Sequence, residues 1–174
     1  MPRGGDTPSG EITVRSIAAE DVPSFHRCLD VVARERRFLA MLEAPPLEEV
    51  REFVTSGRQR GVVQFVAAFD GEVVGWCDVL PVPFEGFRHC GALGMGVLPR
   101  QRGQGIGQRL LEATLREAER CGITRVQVEV FASNRVAISL YEAFGFQCEG
   151  RKRRARQLDG IAEDLVCMAR VRSP

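Results

Sequence analysis

Residues 97–107, V-L-P-R-Q-R-G-Q-G-I-G, carry the residue types and spacing best suited to chemistry in this chain. An apolar run ends at Pro99, a basic and glycine-dense turn follows, and Ile106, Leu110 and Leu111 begin an amphipathic helical pattern. A strand that enters a helix through such a turn leaves backbone N–H groups free at the positive end of the helix dipole, which is a site for phosphate. Glycine at 103, 105 and 107 lets the main chain approach an anion closely. Arg100, Arg102 and Arg109 add positive charge around it. The turn lacks the Lys-Ser/Thr pair of a Walker A loop. It also lacks a dinucleotide fingerprint, because Gln108 stands where the third glycine belongs and Glu129 is a loose match for the ribose-binding acid.

A second block follows one strand later. Residues 134–146 read N-x-x-A-x-x-L-Y-x-x-x-G-F, from Asn134 through Ala137, Leu140 and Tyr141 to Gly145 and Phe146. Arg102-Gly103-Gln104-Gly105-Ile106-Gly107 resembles the R/Q-x-x-G-x-G/A signature of the GNAT superfamily of acyl-CoA-dependent N-acyltransferases, and the second block resembles that superfamily's next signature. The resemblance extends over residues 15–171, in the first half by layout more than by motif.

The resemblance implies a ligand and a division of labour. Acetyl-CoA is the implied co-substrate, with no metal. Its pantetheine arm is expected along Met95, Gly96 and Val97, and its pyrophosphate on the amides of Arg102, Gly103, Gln104, Gly105, Ile106 and Gly107. Asn134 then contacts the cofactor arm and Tyr141 protonates the departing sulfur. A phenol with a pKa of about 10 is protonated at neutral pH and suits that task. Each residue also has an ordinary reading: Asn134 as the N-cap of its own helix, and Tyr141, the single tyrosine of the chain, as core packing.

The general base stays open at this level, including the alternative that a water chain drains the proton and no dedicated base is needed. Many family members carry an acid on the strand before the signature turn, at a position that maps near Ala92, and this chain offers Ala92, Leu93 and Gly94. Glu129 is the candidate base, set opposite Val126, Val128 and Val130 by strand alternation; a solvated or paired surface carboxylate is the alternative. His89 opens the preceding strand with a suitable intrinsic pKa, or is simply structural. Residues 34–39, R-E-R-R-F-L, resemble a segment that many small-amine and amino-acid acyltransferases of the superfamily carry before the second helix. The resemblance implies Glu35 paired with a substrate ammonium and Phe38 as a wall of the acceptor pocket, against the alternative of a solvated helix end.

The elements that must position these groups follow from periodicity. Strands are predicted over 11–17, 62–69, 73–80, 89–98 and 123–130, helices over 20–39, 47–56, 106–121 and 134–144, and a final hairpin over 146–158 and 161–171. Asp70-Gly71 and Asp159-Gly160 mark tight hairpin turns. The order β-α-α-β-β-β-α-β-α-β-β defines one α+β domain over residues 11–172. With the resemblance, it implies a three-layer fold with a mixed sheet of about seven strands, a splayed parallel pair and four helices.

Bulk properties narrow the function classes. At 174 residues the chain is long enough for one domain with a core. A net charge of +1 gives no global basic field for nucleic acid or membrane, and no apolar run reaches a membrane span. The cations of 151–156 read as an exposed strand whose charge blocks edge pairing. Cysteines 28, 77, 90, 121, 148 and 167 show no CxxC pair and are expected as reduced, buried hydrophobes of a cytoplasmic protein. Residues 1–10, rich in Gly and Pro, are expected as a disordered tail and not a signal peptide. The leading expectation is acetyl transfer to a primary amine of an amino acid or related small metabolite. An acetyltransferase of ribosomal-protein N-termini and a non-catalytic acyl-CoA-binding module are the alternatives, and a homodimer is expected by analogy.

Overall fold

The helical and alternating patterns resolve into seven strands and four α-helices over the described residues, 10–172, of a computed structural model. In chain order these are β1 (Thr13–Ser16), α1 (Val22–Arg34), α2 (Leu47–Gly57), β2 (Val63–Phe69), β3 (Glu72–Pro81), β4 (Cys90–Val97), α3 (Ile106–Arg120), β5 (Arg125–Phe131), α4 (Arg135–Ala143), β6 (Gln147–Leu158) and β7 (Ile161–Val171). The tail expected over 1–10 lies, but for Gly10, outside the described residues. None of the helices is long and apolar enough to cross a membrane.

The turns form as their sequences dictate. Asp70 and Gly71 both take positive φ (49° and 80°), as do Asp159 and Gly160 (51° and 77°). That is the backbone of a two-residue hairpin whose twist matches its strands. The first helix, expected to reach residue 39, ends at Arg34. Its inward stripe of Val22, Phe25, Cys28, Leu29 and Val32 has no apolar successor in Glu35-Arg36-Arg37, so further turns would bury nothing. Arg36 instead takes φ 57° and the chain leaves the helix axis.

The strands form one sheet in the order β1-β2-β3-β4-β5-β7-β6, antiparallel except for β4 and β5. Those two pair only at Cys90–Arg125, Gly91–Val126 and Ala92–Gln127, and then part although each strand runs on. Alternation sends β-strand residues to two helical layers. On one face α1 and α2 meet Val66 and Trp76, with Phe25 edge-on to Trp76 at 5.7 Å. On the other, Leu110, Leu111, Leu115 and Ala118 of α3 join Ala67, Cys77, Val79, Val126, Val128, Tyr141 and Met168. β6 is the outer edge of the sheet and is exposed along nearly its whole length. Arg151, Lys152 and Arg156 on it pair with Asp164, Glu129 and Glu163, so much of its basic charge is locally compensated.

The cysteines divide, in part against expectation. Cys28, Cys77 and Cys90 are buried, whereas Cys121, at the end of α3, and Cys148, on the edge strand, are exposed, and Cys167 is half-buried. All six are free thiols.

β4 has almost no side chain on the α1/α2 face, because Gly94 and Gly96 alternate there with Ala92. A Cβ built on Gly96 falls 2.3 Å from the Trp76 ring, and one on Gly94 falls 2.9 Å from Asp78 Oδ1. Gly96→Ala is therefore expected to displace Trp76 and to cost roughly 1–3 kcal/mol of stability. Denaturant titration followed by emission of this single tryptophan checks it, and an unshifted midpoint and spectrum would refute the packing described.

Candidate active site

After β4 the chain makes a short 3-10 turn over Pro99–Gln101, passes Arg102, and enters α3 with Gly105 as its N-cap. Gly103 and Gly105 hold φ of 74° and 77°, a conformation that only glycine adopts without strain. No backbone hydrogen bond of the described residues uses the amides of residues 103–108, so a run of donors stands free at the start of a fifteen-residue helix. A Cβ on Gly107 would lie 3.4 Å from Met95 Cε and 3.5 Å from Leu140 Cδ2. Glycine at that position thus lets β4, α3 and α4 close together beside the free amides. Met95, Gly96, Val97 and residues 102–107, selected from sequence, come together here.

Arg102 contributes its amide to this turn, but its side chain is engaged elsewhere. The guanidinium donates to both Glu35 carboxylate oxygens (2.8 and 2.5 Å), its Nε donates to the Val97 carbonyl (2.8 Å), and it stacks on Phe38 at 4.7 Å. Glu35 and Phe38 are therefore held against the phosphate turn, with the Glu35 carboxylate facing Arg102. The next residue, Arg36, pairs with Asp159 at the β6–β7 turn (2.9 Å), and Arg156 donates to the Arg36 carbonyl (3.1 Å). The segment between α1 and α2 is tied to the phosphate turn on one side and to the last hairpin on the other.

Where β4 and β5 part, a cleft of about 350 Å³ opens, lined in part by Ala92, Gln127, Glu129, Glu149 and Cys167. Gln127 and Glu129 alternate with the buried Val126, Val128 and Val130, so they share the α1/α2 face of the sheet with Ala92 and Gly94. Glu129 is half-exposed and paired with Lys152. Glu149 is held by both guanidinium nitrogens of Arg125 (2.8 and 2.5 Å), which keeps its carboxyl below the ordinary value.

Tyr141 lies in the core on the opposite face, only 4% exposed, with its ring 5.4 Å from that of Phe146. Burial pushes its phenol above the ordinary value, so the hydroxyl holds its proton throughout the neutral range. Asn134 caps α4, its Oδ1 accepting from the Ala137 amide at 3.2 Å, which leaves its side-chain NH2 uncommitted among the described residues. His89 is exposed ahead of β4; its carbonyl accepts from the amides of Thr124 and Arg125, and it is not part of the cleft lining.

Sequence reasoning missed Asp78. It stands on β3 directly opposite Gly94 of β4 and Gln64 of β2, is 7% exposed, and forms no ion pair among the described residues. Burial pushes its carboxyl from 3.8 up to about 7, and only the Gly94 amide favours its charged form. The Nε2 of Gln64 is itself buried without a partner among the described residues. The available signal was an acid inside the apolar run 73–80, paired in space with a strand whose alternate residues are glycine.

Unused amides at a helix start offer a place for a phosphate-bearing ligand, and the parallel pair that parts beside them opens a cleft next to it. The chain belongs to the Acetyltransferase (GNAT) family, whose family model matches residues 28–146. It is similar to an L-methionine sulfoximine/L-methionine sulfone acetyltransferase of Pseudomonas aeruginosa, at 31% identity over 67% of this chain and 68% of that protein. The fold superposes on a ribosomal-protein-alanine N-acetyltransferase of Brucella melitensis with a TM-score of 0.86 and 27% identity, covering 92% of this chain and 99% of the other. A phosphinothricin acetyltransferase of Sinorhizobium meliloti, solved in complex with acetyl-CoA, matches with a TM-score of 0.86 at 20% identity over 92% and 88% of the two chains. The protein is thus an N-acetyltransferase of this family. The free amides of 103–108 and the glycines among them fit the phosphates of such a donor.

The raised Asp78 pKa has a consequence for stability. Between the unfolded value and about 7 the native state keeps a proton that the unfolded chain has lost. Stability from this group is full below pH 3.8 and is lost as pH rises through about 7. Asp78→Asn removes the effect, so its unfolding free energy is expected to gain on that of wild type as pH rises from 3.8 to about 7, by at most about 1.4 kcal/mol per pH unit, and to level off above, with the melting temperatures following the same trend. Thermal scans across that range test it; a constant difference would contradict the burial described.

Proposed function

We propose that the protein transfers the acetyl group of acetyl-CoA to the primary amine of a small molecule, an amino acid or a close analogue. The observation that carries this reading is the gap beyond Ala92 and Gln127, which has Tyr141 on one face and the cleft with Glu129 and Glu149 on the other. The rim carboxylates Glu129 and Glu149 are paired with Lys152 and Arg125, and an acceptor ammonium would exchange with those partners. A cleft of about 350 Å³ suits a small acceptor. The Pseudomonas relative, named for two amino-acid analogues, supports the same class.

Acetyl-CoA, when bound, supplies an activated acyl carbonyl and a thiol leaving group. The amides of residues 103–108 receive its phosphates. Beyond Ala92 the β5-facing edge of β4 has no strand partner, and the amide and carbonyl of Met95, which alternation directs to that edge, are placed to align the pantetheine arm. The uncommitted NH2 of Asn134 steadies that arm from the start of α4. Tyr141 Oη holds the proton that the departing sulfur needs, and its burial keeps that proton in place until then. Likeness to the Brucella ribosomal-protein-alanine enzyme supports a second reading, in which the amine is the N-terminus of a protein.

Thiol release from acetyl-CoA against amino acids, polyamines, aminoglycosides and short peptides tests the reading. Turnover with amino acids or their analogues is expected, and turnover with peptides alone would replace it by the second. Tyr141→Phe is expected to lower kcat by roughly 10²-fold or more with CoA affinity unchanged, following the usual scale of general-acid effects; an unaltered kcat removes Tyr141 from the chemistry. Gly105→Val forces a β-branched residue to φ 77° and is expected to abolish CoA binding in calorimetry while the fold persists. Retained binding in that variant would refute the phosphate assignment.

A further inference from the structure

We infer that Asp78 is the general base of the reaction: its carboxylate, reaching across Gly94 from β3, takes a proton from the ammonium nitrogen of the acceptor. The inference rests on the proposed function and names the group which that reading leaves open. The sheet order β3-β4-β5 sets Asp78, Gly94 and the gap side by side. Asp78, Trp76, Gly94 and Gly96 share the α1/α2 face, since Cβ atoms built on the two glycines meet the Asp78 and Trp76 side chains. With hydrogen as the side chain at 94, the Asp78 carboxylate lies against that residue, its Oδ1 2.9 Å from where a Cβ would stand. Asp78 itself sits behind β4 and is not part of the cleft lining, so it acts through the space over Gly94. Tyr141 lies on the opposite face. Base and acid therefore flank the gap, one on the side from which the amine enters and the other on the side by which sulfur leaves.

Glu129, the candidate from sequence, already has its charge matched by Lys152 and stands half in solvent. Asp78 has no such partner. The helices packed on its face bury apolar side chains there, Val22, Phe25, Cys28, Leu29 and Val32 of α1 and Val50 and Val54 of α2. The charged groups on that side are already paired: Arg102, which acts on Cys28, with Glu35, and Glu129 with Lys152. Of the buried side chains of the two helices named here only Cys28 titrates, and burial pushes its thiol up to about 12, so it is neutral. β2 presents Gln64, and Cys77 beside Asp78 on β3 is a buried, neutral thiol that points to the other layer. A carboxylate that is reluctant to ionise binds a proton avidly, which is the property asked of a base working near neutrality. The step balances simply. R–NH3+ and the carboxylate give R–NH2 and the carboxylic acid, the nitrogen regains its lone pair for attack on the acyl carbon, and Asp78 then returns the proton to water.

The test is Asp78→Asn, nearly isosteric and easier to bury than the acid. Melting temperature, Trp76 emission and calorimetric affinity for CoA establish that the fold and the donor site persist. With the amine found in the acceptor panel, kcat/KM is expected to fall by roughly 10²–10⁴-fold, and the acid limb of the wild-type pH profile, centred near 7, is expected to vanish. Without substrate, carbon NMR of aspartate-labelled wild type should show a carboxyl titrating near pH 7 that is missing from the variant. Turnover of the variant within threefold of wild type with the same acid limb, or no carboxyl titrating near neutrality, would overturn the assignment. The two readings fail separately. A wild-type protein inactive on every amine overturns the proposed function and this role with it, whereas wild-type turnover matched by the variant overturns the role of Asp78 alone.

Discussion

The parting of β4 from β5 is the constraint on which the rest of the structure depends. Two parallel strands that pair at three positions and then separate leave backbone donors and acceptors unused in the middle of a sheet. Such an arrangement persists because the surroundings hold it open. α3 and α4 are packed against one side through Met95, Gly107 and Leu140, and β7 binds the far side of β5 along its whole length. The same parting puts one face of the gap under α4, with its phenol, and leaves the other open as the acid-lined cleft. Fold and chemistry share this origin.

Polar contacts then tie the rim together. Arg102 sits in the phosphate turn but spends its side chain on Glu35, Phe38 and the carbonyl of Val97. Both members of the Arg102–Glu35 pair are partly shielded from solvent, with side chains 34% and 21% exposed. The bidentate geometry fixes direction as well as distance. Through it the segment after α1 inherits the position of the turn, and through Arg36 and Asp159 it inherits that of the last hairpin.

Much of this was legible in the sequence because it is local. The Asp-Gly turns, the glycines before α3, the N-cap Asn134 and the stripes of α1 and α3 each declare themselves within a few residues. The two signature blocks also located the free amides and Tyr141. The end of α1 was not legible: charged residues at 35–37 are good helix formers, and what ends the helix is the absence of anything to bury together with partners more than sixty residues away. Asp78 was hidden for a related reason. Its neighbours Gln64 and Gly94 are set by the register of two strand pairs, so the burial of an acid against a glycine is visible only once the sheet is built.

The bare face of β4 has a consequence for altering this protein. Because Ala92, Gly94 and Gly96 offer the cleft side almost no atoms beyond the main chain, that strand acts as a window, and what shows through it belongs to β3. Diversity introduced at 92, 94 or 96 would mostly collide with Asp78 and Trp76 or fill the opening. A designer wishing to change what the cleft accepts would leave the window clear and vary the positions that face it from Gln127, Cys167 and Glu149, around a fixed pair on β3.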